Sequence, residues 1–500
     1  MRLRWLVFFL GLICCMSQVG FAKHRSQTSK RTNKSSYTRV SQPIIYGSDQ
    51  LAATITSLIN SSKIKADIGV SVKSMQGGGT LYSRQIYQTL TPASTLKILT
   101  AEAALIFLGP DYRFSTQLLT DAKAGVKNGV LQGNLYVVLS GDPTLTYMDL
   151  VDLMETLRAE QIQAVAGNVY IDNTAYDQSF YGPGWVWEDK GYCYAAPISA
   201  SIINHNCLSF SVAPGKQPGH AAQVIKSSKL FYPKINNSVT TRSYRSRACA
   251  LRLSRDPGSA ISIDGCMAKG RYAYGVSYVV TDIPEYNRAL FKSVLSQLGV
   301  KVYGNVTFGS APQSLSLVGS HTSDPLKQLV KDMLKKSDNV IAGALFKKIG
   351  QLYSRKPGSW ENGSIAVSQI LSKRAGVNTS GMRILDGSGL SPDNLASPAQ
   401  MMQVLDFAYH HPQTSNEFIS ALPIAGVDGT LKHRMYNIAR KIRAKTGTIS
   451  GVVSLAGYAQ SADKEMLAFV IMINGSKGLG WRYKSLEDKI ATALTRYKRS

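Results

Sequence analysis

The sequence predicts an α+β fold: an antiparallel sheet with packed helices, assembled from both ends of the chain around a long insertion. Three observations predict it. A hairpin pattern lies near each end, "DIGVSVKSM" with "TLYSRQ" and "VVSLAGYAQ" with "MLAFVIMIN". Each hairpin is flanked by a stretch of helical apolar spacing, "DQLAATITSLINSS" and "SLEDKIATALTRY". Between the two ends the texture changes to short strands and turn formers, which suggests one domain interrupted by another. With 500 residues, two or three domains are expected.

The chain opens with "MRLRWLVFFLGLICCMSQVGFA". Two arginines, a short apolar run and the small residues Gly20 and Ala22 have the order of a secretory signal. Residues 1–22 are therefore read as a signal peptide cut after Ala22, with export to the periplasm. The apolar run is short for a membrane span, and bulky Ile13 before Cys14 disfavours a lipoprotein site. Residues 23–45 read as a basic, disordered linker, since Lys23 to Arg39 hold six Lys/Arg and no acid. The formal charge of +26 falls to +24 once Arg2 and Arg4 leave with the signal. In an exported protein that charge fits an anionic wall polymer or membrane surface better than nucleic acid, and a basic surface that merely keeps the protein soluble is an equal reading.

Folded sequence begins near Tyr46. After the first hairpin, Thr91 is placed to cap a helix, Pro92 suits its first position, and Leu96, Leu99, Ala103 and Leu105 share an apolar face. Gly109-Pro110 ends it. Residues 46–117 and 312–500 are expected to form the first domain. Residues 118–311 form the insertion, with strands such as "NLYVVLS" and "GNVYID", two helical stretches and room for two nested units. Four mature cysteines lie there: Cys193, Cys207, Cys249 and Cys266. An exported chain makes two disulfides the natural reading, with three connectivities open. Pairing sequence neighbours would give Cys193–Cys207 and Cys249–Cys266, each worth roughly 3 kcal/mol. No cysteine spacing suits a metal.

Ser94 and Lys97 stand one helical turn apart, so a hydroxyl and an amine share a face. A serine attacks a carbonyl when a base takes its proton and donors hold the oxyanion. Lysine is a base only when neutral, a form that burial favours. Ser62/Lys65 and Ser461/Lys464 have the same spacing but fall at a helix end and in a hairpin turn, where solvated surface is the simpler reading. Two distant motifs single out Ser94. Ser337-Asp338-Asn339 stands at a helix start, and Lys445-Thr446-Gly447-Thr448 precedes a strand. Gly447 would permit close approach to a ligand. Lys445, Thr446 and Thr448 suit a carboxylate. The three motifs in this order are those of penicillin-binding proteins and class A β-lactamases.

Longer phrases sharpen this. With "TPASTLKILTAEAAL", "SGDPTL", "GWVWEDKGYCYAAPISASIINHNC", "DGSGLS", "LPIAGVDGTLKHRM" and "KTGT", the chain resembles the D-alanyl-D-alanine carboxypeptidase/endopeptidase family. These are the class C low-molecular-mass penicillin-binding proteins of the DacB type (peptidase family S13). The resemblance implies a penicillin-binding-protein/β-lactamase-like transpeptidase domain and an acyl-enzyme on Ser94, with Lys97 as base. Ser337 would relay a proton to the leaving amine, Asn339 would hold the substrate amide, and Lys445 would support the site electrostatically. Thr446, Gly447 and Thr448 would line the substrate strand, and the N–H groups of Ser94 and Thr448 would form the oxyanion hole. Asp189 and Tyr194 match a pocket for the free end of diaminopimelate. Peptidoglycan peptides would be the substrates and β-lactams covalent inhibitors, with no metal or other cofactor. One position departs: where some members carry Arg after "DGSGLS", this chain has Pro392, and Lys432 or Arg434 would be the substitutes. The Trp185/Trp187 pair reads as packing rather than a sugar platform, and Asp386 with Gly387-Ser388-Gly389 as a tight loop, with shaping of the site floor as the second reading.

Two other readings are weighed. A class A β-lactamase needs a Glu-x-x-x-Asn acid, yet neither Glu361 nor Glu417 has Asn four residues on. A non-enzymatic cell-wall binding scaffold on the same fold would have no need of the intact set of Ser94, Lys97, Ser337, Asn339 and Lys445.

Overall fold

The computed structural model describes residues 43–499, apart from 78, 124, 227–233, 244–248, 256–259, 476, 477 and 479. The expected signal and most of the basic linker lie outside the described residues. Helix α1 (Gly47–Ser61) buries Leu51, Ile55 and Ile59, one turn apart. Strands β1 (Asp67–Ser74) and β2 (Thr80–Arg84) form the first hairpin. The second comes from the far end of the chain, with β3 (Ile442–Ile449), β4 (Val452–Gln460) and β5 (Met466–Asn474) running antiparallel. The sheet order is β3-β4-β5-β1-β2. The two hairpins join where Asp67 faces Asn474 and Ser74 faces Leu467.

The unbroken apolar run of β5 has a simple cause: both faces of the sheet are covered. Leu467, Phe469, Ile471 and Ile473 point into a core shared with α1 and the closing helix. Ala468, Val470 and Met472 point the other way, into the core that holds the first helix after the hairpin. The closing helix spans Gly480–Leu494. It starts before the expected Ser485 and ends before Tyr497, whose backbone pairs with Ile45 in a short parallel bridge.

Helix α2 (Lys97–Leu108) differs from expectation at its start and in its burial. It is entered through a 3₁₀ turn, Ala93–Leu96, with no side-chain cap. The Thr91 hydroxyl instead donates to the Pro392 carbonyl at 3.0 Å. Asn474 holds the Thr91 backbone from both sides, accepting from its N–H at 2.8 Å and donating to its carbonyl at 3.1 Å. All residues from Lys97 to Leu105 are buried, so α2 is a central helix rather than one with a single apolar face. The long helices α3 (Leu326–Lys336) and α4 (Asn339–Ser354) pack beside it.

The middle of the chain forms two further cores. A five-stranded sheet, in the order Val306–Phe308, Val169–Asp172, Leu135–Val138, Ser115–Thr120, Ser316–Thr322, packs on helices Tyr147–Ala159 and Ile283–Gln297. The described residues between 207 and 279 form short strands around Phe210, Val212, Ile261 and Ile263. Of the three connectivities left open, the structure holds Cys193–Cys207 and Cys249–Cys266.

Candidate active site

Ser94 is the second residue of the 3₁₀ turn, in the segment where helical N–H groups have no intrahelical acceptor. The backbone before it is strained: Ala93 has φ of 48°, in the left-handed region, and is fully buried. Two glycines make room for that bend. A Cβ on Gly389, itself at φ 76°, would lie 1.9 Å from the Ala93 carbonyl oxygen. A Cβ on Gly447 would lie 2.1 Å from Ser454 Oγ and 2.8 Å from the Pro92 carbonyl oxygen. Gly447 was expected to allow a ligand close. It allows β3 to lie close to the serine turn, which sets the distance between the two motifs.

Lys97 Nζ lies 3.0 Å from Ser94 Oγ, 2.6 Å from Asn339 Oδ1 and 2.7 Å from the Ser388 carbonyl oxygen. The lysine is fully buried. That burial lowers its pKa to about 7, against the opposing charges of Asp386 and Asp338. At neutral pH a large fraction of the amine is therefore free to take a proton. Lys445 is also buried, and its Nζ donates to Ser337 Oγ at 2.8 Å and to the Thr446 carbonyl at 2.7 Å. Burial, helped by the Lys97 charge, pulls its pKa well below the usual lysine range.

The Ser-Asp-Asn segment sits in the break between α3 and α4. Ser337 ends α3 in the left-handed region at φ 60°, and Asp338 caps α4 by accepting from Ile341 N. Asn339 then bridges two regions: its Oδ1 meets Lys97 and its Nδ2 donates to the Tyr194 carbonyl at 2.7 Å. Asp338 also faces His205 at 3.4 Å. His205 belongs to a run of left-handed residues, Asn204 to Asn206, just before Cys207. The Cys193–Cys207 disulfide thus ties the Tyr194 loop to the turn that meets Asp338. The sequence carried no sign of this pair.

Asp386 is more than part of a tight loop. It is fully buried and accepts from Ser388 N, Gly389 N, Ser391 N, Asn394 Nδ2 and Trp185 Nε1, the last at 2.6 Å. This loop presents the Ser388 carbonyl to Lys97. The tryptophan pair divides: Trp185 is packed beneath the loop, while Trp187 is 78% exposed beneath Lys190. Thr446 Oγ1 donates to Thr430 Oγ1 at 2.8 Å, and Thr448 is exposed on β3, the outer strand of the sheet. Asp189 and Tyr194 come together at 2.6 Å beside Asn339, and Tyr194 stacks on Tyr192. Arg434 does not replace the missing arginine, because it pairs with Glu487 at 2.8 Å and Asp488 at 2.6 Å on the closing helix. Lys432 is exposed. Of the two rival serine–lysine pairs, Ser62 caps the end of α1. Ser461 is buried, not solvated, and bonds Asp463 in the turn between β4 and β5.

The model of the D-Ala-D-Ala carboxypeptidase 3 (S13) family matches residues 51–497. The chain is 34% identical to the D-alanyl-D-alanine carboxypeptidase DacB of Haemophilus influenzae, over 77% of this chain and 80% of that one. It is also 34% identical to the D-alanyl-D-alanine carboxypeptidase of Actinomadura sp., over 86% and 81%. The crystal structure of penicillin binding protein 4 (dacB) from Haemophilus influenzae superposes with a TM-score of 0.79 at 31% identity, covering 89% of this chain and 99% of that one. The same protein complexed with a β-lactam gives a TM-score of 0.74. A serine against a buried amine and a second lysine–serine pair, set on this fold, accompany a family match over nearly the whole described chain: the protein belongs to the D-Ala-D-Ala carboxypeptidase 3 (S13) family.

Proposed function

We propose that the protein is a serine-type D-Ala-D-Ala carboxypeptidase and DD-endopeptidase of peptidoglycan stem peptides, acting through an acyl-enzyme on Ser94. The observation that carries this is the contact of Lys97 Nζ with both Ser94 Oγ and Asn339 Oδ1. Lys97 takes the hydroxyl proton as Ser94 Oγ bonds to the carbonyl carbon. The N–H groups of Ser94 and Thr448 hold the oxyanion. As the C–N bond breaks, the proton held by Lys97 reaches the leaving amine through Ser337, which Lys445 Nζ holds at 2.8 Å, and Lys97 is neutral again. Asn339 orients the substrate amide, while Thr446 and Thr448 receive the terminal carboxylate on β3. Water then attacks the ester carbon and gives a proton to neutral Lys97; the C–Oγ bond breaks, the acid leaves, and Lys97 returns the proton to Ser94 Oγ. A β-lactam enters the same path and stays as the acyl group.

Asp189 and Tyr194 would take the free end of a diaminopimelate side chain, the carboxylate pairing with its amine. Their mutual bond and their link to Asn339 through the Tyr194 backbone support that role. Residues 46–117 and 312–500 carry the chemistry and 118–311 the insertion. The backbone pairing of Phe114 with Ser323 suggests that the insertion extends somewhat further on each side. Among the described residues no helix is long and apolar enough to cross a membrane. Export to the periplasm and peripheral attraction to an anionic wall or membrane surface complete the reading.

A defined cross-linked muropeptide tests it. Incubation is expected to yield both free D-alanine and cleaved monomers by mass analysis. Release of D-alanine with dimers left uncut would refute the endopeptidase half. Neither product would refute the hydrolase.

A further inference from the structure

Residues 207–279 carry charge out of proportion to their size. They contain eleven Lys or Arg against two acids, Asp256 and Asp264. Asp264 pairs with Arg252 at 2.7 Å, which leaves the excess uncompensated within the segment. Lys226, Lys234, Arg242, Lys269 and Arg271 are all exposed. The same segment opens a groove of about 400 Å³ beside the Cys249–Cys266 disulfide, bounded by Leu251, Leu253, Met267, Arg271, Tyr272 and Tyr274. Tyr272 is 96% exposed, Tyr274 59% and Leu253 42%. Apolar and aromatic side chains in the open, rimmed by cations, mark an interaction surface. No residue of the Ser94 site lines this groove.

We propose that this surface docks on an anionic phospholipid bilayer, with Tyr272, Tyr274 and Leu253 entering the headgroup layer between Lys269 and Arg271. A wholly hydrophilic polyanion would satisfy the charge but gives no role to an apolar groove or to a fully exposed tyrosine. A bilayer interface uses both. Tyrosine is favoured at headgroup depth, and the stems of Lys and Arg lie along apolar surface while their charges stay in water. The inference gives a place to the surface attraction proposed above and is independent of the Ser94 chemistry.

The mature chain, mixed with vesicles of phosphatidylglycerol and phosphatidylcholine and then sedimented, provides the test. Binding is expected with phosphatidylglycerol and absent with phosphatidylcholine alone. Each surface charge removed is expected to weaken binding about fivefold, so the pair Lys269→Ser and Arg271→Ser costs about 25-fold. Leu253→Ser with Tyr272→Ser, at unchanged charge, is also expected to weaken it. A native-like unfolding midpoint reports that each variant is folded; one without it is replaced by the exposed single variants Arg271→Ser and Tyr272→Ser. Three results would overturn the proposal. Vesicle binding could survive all these changes. It could depend on charge but not on Leu253 and Tyr272, with soluble polyphosphate competing fully. Or it could vanish when the basic residues of 23–39 are replaced by serine, with the groove variants unaffected.

Discussion

Lys97→Met is expected to slow acylation by a β-lactam about 10⁴-fold, the upper range for loss of a positioned general base. The substitution suits the site because Lys97 is wholly buried, and methionine keeps much of its volume without an amine. The Ser388 carbonyl and Asn339 Oδ1 each lose a donor, so a cost of about 1–3 kcal/mol per group is expected, offset in part by removal of the buried amine. In the unsubstituted enzyme the same group shapes the pH profile. Burial lowers the Lys97 pKa to about 7, so the neutral base predominates above that pH and acylation falls about tenfold per unit below it. The sign for stability is the same. The unfolded chain holds this proton up to the ordinary lysine pKa of 10.5, while the folded chain releases it near 7. Between those values the unfolded state binds more protons, and stability rises with pH. Stopped-flow acylation across pH checks the rate profile, and denaturant unfolding across pH checks the stability. A profile flat from pH 5 to 8 would contradict them.

Asp386→Ala is expected to destabilise the peptidase unit by about 5 kcal/mol. Its carboxylate is fully buried and collects three backbone N–H groups, the Asn394 amide and the Trp185 indole. Each buried donor left unpaired costs about 1–3 kcal/mol. Water entering the space recovers part of that, which keeps the sum below the simple total. The unfolding midpoint should fall by about 10 °C, read by calorimetry. Function should suffer beyond stability, since this loop presents the Ser388 carbonyl to Lys97 and lets Gly389 pass the Ala93 carbonyl. A variant with a near-native midpoint would show that the carboxylate is not the organiser of the loop.

How much of this could be read from the residues depends on the range of the interaction. The two hairpins and terminal helices were legible because their periodicity is local, and the resemblance supplied the fold that joins them. Burial of α2 on every side was not, because its polar residues Lys97, Thr100 and Glu102 break the apolar pattern although all are buried. The helix start was misread for a similar reason. Thr91 has the chemistry of a cap, but Pro392 and Asn474, hundreds of residues away, claim its groups. The three motifs were visible as short words, and the structure adds the contacts among Ser94, Lys97 and Asn339 and between Ser337 and Lys445. Gly447 was noticed for its freedom, and the structure adds the Ser454 and Pro92 groups that lie against it. Trp185, His205, Thr430 and Asn474 position the site, and none carries a local signature of doing so. Arg434 shows the converse: a cation in a suggestive phrase that tertiary structure commits to Glu487 and Asp488.

Everything in the proposed mechanism depends on Ser94 as the nucleophile. Incubation with benzylpenicillin, followed by intact-mass measurement and peptide mapping, tests it most directly. A single penicilloyl adduct is expected on the peptide carrying Ser94, and none on a folded Ser94→Ala variant. An adduct that persists in that variant, or an unmodified wild-type protein, would contradict it.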